Sequence, residues 1–135
     1  MKHLRERIAT KKPGVEDVDI EKCEDLLRAK LPDKYKQLVR LVNQPEIEEW
    51  ILYPIKDSRR ISKTFDDIVR NNKDAEIPND LIAFAEDGTG DLLCFQVIKG
   101  QMRETILFWK HEDQEYEVIY EDIEEMIREL IEEDC

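Results

Sequence analysis

AEDGTGDLLCF, Ala85 to Phe95, sets two glycines and four oxygen-bearing side chains just ahead of an apolar run. A phosphate cradle, a metal loop and a strand-connecting turn all use such residues, so the stretch must be tested against each. A P-loop needs Lys-Ser/Thr after its glycines, and Asp91-Leu92 follows here. A dinucleotide fingerprint needs a third glycine where Leu93 stands, and a helix rather than a strand after it. An EF-hand starting at Asp87 would put its turn glycine on Leu92 and its closing glutamate on Ile98. The turn remains: Asp87-Gly88 and Gly90 supply positive-φ positions, and aspartates bond nearby amides.

Flanking alternation makes that turn a hairpin. Ile82 and Phe84 alternate with Ala83 and Ala85 before it; Leu93, Phe95 and Val97 alternate with Leu92, Cys94 and Gln96 after it. Lys99-Gly100-Gln101 turns the chain again, Thr105 to Trp109 reads as a strand, Glu112 to Glu115 as an acidic turn and Glu117 to Tyr120 as a short strand. Ile119, Ile123, Met126, Ile127, Leu130 and Ile131 then define one face of a closing helix, with Glu124 and Arg128 four apart on the other. Glu132, Glu133 and Asp134 crowd the negative end of its dipole.

Upstream, Asp19 is a candidate N-cap for a helix whose face carries Ile20, Cys23, Leu27 and Leu31. Pro32 suits the first position of a second helix, with Tyr35, Leu38, Leu41 and Val42 as its stripe and Gln44-Pro45 as its stop. Glu49 to Ile55, EWILYPI, reads as a strand. Thr64 is expected to cap a short helix holding Phe65, Ile68 and Val69, closed by Asn71 to Asp74. Residues 1–14 are expected to be a flexible or short helical arm, and 15–135 a single domain. Helices first, strands through the middle and a final helix predict an α+β fold, with a mostly antiparallel sheet of five or six strands.

Composition bounds the function. At 135 residues the chain buries roughly two thirds of its unfolded surface. No apolar run approaches the roughly 18 residues of a membrane span, and no signal-peptide pattern opens the chain, which predicts a soluble cytoplasmic protein. Cys23, Cys94 and Cys135 have no zinc spacing and read as free thiols, the first two as core. His3 and His111 have no metal-ligand partner at helical spacing. Ser58 and Ser62 sit in no nucleophile elbow. The expectation is no catalytic set, no metal and no cofactor. The net charge is −12, with +4 in residues 1–12 and −11 in residues 112–135. Such a field repels nucleic acid and attracts basic proteins.

The landmarks together resemble the SUKH superfamily (SMI1/KNR4-like). The likeness is carried by LPDKYKQLVRLVN (Leu31 to Asn43), WILYPIKD (Trp50 to Asp57), IPNDLIAFAEDGTGDLLCF (Ile77 to Phe95) and ILFWKHE (Ile106 to Glu112), followed by the acidic helix. Gly90-Asp91 occupies the family's Gly-Asp position. Asn43-Gln44-Pro45 departs from the family's frequent Asn-Gly-Gly, so the first loop must turn differently. The resemblance implies a non-enzymatic bacterial immunity protein that binds a cognate toxin, often a nuclease. On that reading the partner-binding residues are Glu86, Asp87, Asp91, Glu112, Asp113 and Glu115 on acidic loops, with Trp50 or Trp109 as an aromatic anchor. The alternatives are a scaffold or regulatory adaptor of the same fold, and a carboxylate enzyme or metal binder around Asp87 and Asp91.

Overall fold

The computed structural model describes Arg5, Ile8 and residues 12–132, without the side chain of Glu132. Most of the 1–14 arm, the charges expected at Glu133 and Asp134, and Cys135 lie outside the described residues. Among the described residues, helices α1 (Asp17–Leu27), α2 (Asp33–Leu41), α3 (Ile68–Asp74) and α4 (Ile123–Glu132) accompany six strands. These are β1 (Glu46–Ile47), β2 (Trp50–Leu52), β3 (Leu81–Glu86), β4 (Leu92–Ile98), β5 (Gln101–Lys110) and β6 (Glu115–Tyr120). The strands lie side by side in chain order, each antiparallel to the next. The molecule is therefore the expected α+β domain, its sheet a six-stranded meander.

Helix starts differ from the local signals, because distant partners claim the capping side chains. Asp19 lies inside α1, buried, and its carboxylate accepts hydrogen bonds from the Ser58 amide (3.1 Å) and hydroxyl (3.2 Å). Thr64 lies ahead of α3 and instead ties together its own loop: its Oγ1 accepts from the Asp57 amide and donates to the Arg60 carbonyl, both at 2.9 Å. The cap of α3 is Asp67, whose carboxylate accepts from the Arg70 amide at 3.0 Å. Phe65 stays outside that helix and exposed, with the Arg70 guanidinium 4.5 Å over its ring. Asn71 to Asp74 continue the helix rather than close it. The first helix ends at Leu27, with Arg28 left-handed (φ 59°). Leu31 reaches the core from the loop, its amide bonded at 2.8 Å to the buried Glu24 carboxylate.

The core is centred on Tyr35 of α2, which meets Phe84 and Phe95 edge-on at 5.6 and 5.3 Å while those two rings stack at 4.2 Å. Alternation in the central strands proves incomplete. All of Leu81–Ala85 and Leu93–Phe95 are buried, because the small side chains Ala83, Ala85 and Cys94 let structure cover the second face as well. Where β2 stops short, α3 completes β3: the Asn72 amide donates to Ala83 O and accepts from Ala83 N, both at 2.8 Å. Buried Asn43 makes the same two-way clip to Ile55 (2.8 and 2.9 Å), and Gln44, where the family frequently has glycine, takes a left-handed conformation (φ 61°) that glycine adopts most readily. Gly14 sits so tightly on α2 that an added Cβ would collide with the Arg40 carbonyl.

Candidate functional site

A meander sends alternate connections to opposite ends of the sheet. The β1–β2 turn, the β3–β4 loop and the β5–β6 loop therefore share one end, and the register confirms the alignment. Ile51 pairs with Glu86, Glu86 with Leu92, Leu92 with Trp109 and Trp109 with Tyr116, forming one row across the sheet. Just beyond that row lie Glu48 and Glu49, then Asp87 and Asp91, then Glu112, Asp113 and Glu115. Residues as far as 67 positions apart in sequence, Glu48 and Glu115, thus form one acidic rim.

The loop between β3 and β4 is a built turn. Asp87 Oδ1 accepts from the Thr89 amide (3.0 Å) and hydroxyl (2.6 Å), and Gly88 and Gly90 take φ of 88° and 104°. Asp91 then reaches across to the next loop. Its Oδ1 accepts from the His111 amide at 3.1 Å and lies 2.7 Å from the imidazole Nδ1. A Cβ on Gly90 would lie 3.0 Å from that ring, so the Gly-Asp pair is a clamp: glycine admits the imidazole and aspartate holds it. The hydrogen bond from the His111 side chain leads in holding the Asp91 carboxyl below its usual range, against some desolvation. Glu86 accepts from the Tyr53 hydroxyl at 3.0 Å, and Lys110 pairs with Glu117 at 3.5 Å. Glu112, Asp113 and Glu115 project into solvent.

All six carboxylates named from the sequence come to this end of the sheet. Trp50 and Trp109 come there too, but as core: they are 4 % and 6 % exposed, and Trp50 packs edge-on against Phe108 at 5.8 Å. Their indoles close the end of the core and are not offered to a partner. The exposed aromatic of the row is Tyr116, at 47 %. Sequence reasoning missed Glu48, Glu49, Tyr116 and His111. Glu48 turns with φ 54° without glycine or asparagine, so no turn signal marked it.

The remaining chemistry is sparse. Burial pushes the Cys23 and Cys94 thiols up to about 12, which keeps both protonated and inert. Among the described residues no group of three or more His, Cys, Asp and Glu is placed to hold a metal ion. No helix among them is long and apolar enough to cross a membrane. A groove beside α1 and α3 exposes Leu26 and Phe65, but Lys56, Arg70 and Lys73 alternate there with Asp67 and Asp74, so it carries no field of one sign. The rim does.

A family model described as SMI1-KNR4 cell-wall (SUKH_6) matches residues 17–127, from the first residue of α1 into α4 and across the whole rim. No curated protein matches the chain.

Proposed function

The chain belongs to the SMI1-KNR4 family, and from that membership we propose that it is a non-enzymatic immunity protein whose acidic sheet end neutralises a cognate basic toxin. The observation that carries the reading is the convergence of three loops' carboxylates at one end of the meander, where Lys110 and His111 are already engaged by Glu117 and Asp91. Such a surface speeds encounter with a basic protein and disfavours acidic ones. A nuclease suits it, since an enzyme that grips a phosphate backbone must present lysines and arginines around its active site. The protein would act by covering that cleft, in the cytoplasm where the toxin arrives.

The test is growth. Co-expression with the toxin encoded by the neighbouring gene should restore growth, and Asp87→Lys with Asp113→Lys should abolish the rescue. Failure with every neighbouring toxin, together with recovery of housekeeping partners in pull-downs, would replace this reading with the scaffold one.

A further inference from the structure

Among the described residues, the sheet ends on a strand whose outer edge has no neighbour. In the strand order, β6 pairs with β5 alone. Its backbone therefore presents amide and carbonyl groups outward, a template for another strand. Natural edges are usually blunted by charged side chains, proline or an early bulge. Glu115–Val118 has neither proline nor an early bulge: its register with β5 runs unbroken from Lys110↔Glu115 to Leu107↔Val118, and the irregularity comes only at Ile119. Its charges, Glu115 and Glu117, are of one sign, so they turn away acidic strands and leave the edge open to basic ones. Both faces are open along those four residues, with Val118 64 % exposed.

The edge also carries a chemical pattern. Glu115 and Glu117 alternate with Tyr116 and Val118, so an added strand would meet carboxylates at every second position and apolar surface at the others. Past the bulge, a shallow recess of about 400 Å³ is lined by Thr105, Val118, Ile119, Tyr120, Glu121 and Glu125. Its carboxylates and apolar wall suit the stem and head of a lysine or arginine. A second copy of this chain is a poor occupant: two β6 strands would bring the glutamates of both chains onto one ladder, in two molecules each carrying −12.

We propose that β6 is a strand-addition site that takes an extended, basic segment of the protein partner, with lysine or arginine opposite Glu115 and opposite Glu117, which shares its carboxylate with Lys110 at 3.5 Å, and apolar residues opposite Tyr116 and Val118. This rests on the immunity reading for the partner's identity and adds the mode of capture, main-chain pairing along an edge continuous with the acidic rim.

The probe is a short synthetic peptide alternating lysine with valine, added to the full chain while amide exchange is followed. The expected result is slowed exchange within Glu115–Val118 and binding that weakens as salt rises. N-methylating alternate peptide amides should cost about tenfold or more in affinity, since those donors make the ladder. Val118→Lys, a surface change that blunts the edge without touching the rim, should also cost about tenfold. Protection elsewhere, indifference to N-methylation, or a dimer of the protein alone with β6 already protected would overturn the proposal. The two readings fail separately. If Val118→Lys still neutralises the toxin as well as the parent chain, strand addition is wrong and immunity stands. If no neighbouring toxin is neutralised while the peptide still protects β6, immunity is wrong and the edge site stands.

Discussion

Tyr35→Phe should make this protein more stable. The Tyr35 ring has no exposure to solvent, and its hydroxyl is buried with no hydrogen-bond partner among the described residues. Removing that oxygen leaves the edge-on contacts with Phe84 and Phe95 in place and strands no other group. In the unfolded chain the hydroxyl is hydrated, so folding bears its desolvation, about 1–3 kcal/mol on mutational scales. Against this stands the void left by one oxygen, on the order of 10 Å³, which at about 24 cal/mol per Å³ costs roughly 0.3 kcal/mol. The net gain is about 1–2 kcal/mol, or about 3–8 °C in Tm for a chain of this length. Urea denaturation should show a higher midpoint at unchanged slope. Burial, followed by the nearby Cys23 thiol, also pushes the Tyr35 phenol far above its ordinary range, so it should stay protonated in alkali until the protein unfolds. A loss of about 1 kcal/mol or more in the variant would refute the reasoning, because it would mean the hydroxyl has a partner in the folded state.

Gly14→Ala should cost about 1–3 kcal/mol, since the collision is with backbone and neither side can rotate away. Amide exchange should quicken at Val15 and Asn43, which bond to Val39 O and Pro13 O across that contact. Asp91→Asn tests the loop clamp through pH. A carboxyl held below its unfolded value of about 3.9 stabilises the fold above that pH, and the benefit is lost as pH falls through the folded value. The parent chain should therefore exceed the variant by about 0.5 kcal/mol at neutral pH, a small gap because the site is largely solvated, and the two should converge in acid below about pH 4. A gap that persists unchanged into acid would show that the charge is not what holds His111.

The meander was legible because its turns are written in local residues: Asp87-Gly88, Gly90 and Lys99-Gly100 each need a conformation that few other residues adopt. The closing helix was legible through its apolar face. What escaped was settled by partners far along the chain. Asp19 looks like a cap and instead serves Ser58, 39 residues away. Thr64 looks like a cap and instead holds Asp57 and Arg60 in its own loop, leaving the helix to Asp67. Two-residue β1 carries too little sequence to show a period. For the site, loop charges could be read directly, but their convergence follows only from the strand order. Which tryptophan faces out could not be read either, because aromatic residues serve core and interface equally well. Here both close the core, and Tyr116 is the exposed ring of that row of the sheet.

One binding measurement tests the proposed recognition surface most directly: calorimetric titration of the catalytic domain of a candidate toxin encoded by the neighbouring gene into the parent chain and into a rim variant, Asp87→Lys, Glu112→Lys, Asp113→Lys. A control, Glu21→Lys with Asp25→Lys, reverses exposed charges on α1 instead. At about 1 kcal/mol per reversed rim charge, the rim variant should bind roughly a hundredfold more weakly while the α1 control stays near the parent. Equal affinity in all three proteins, or a loss confined to the α1 control, would contradict the claim that the acidic end of the sheet is the recognition surface.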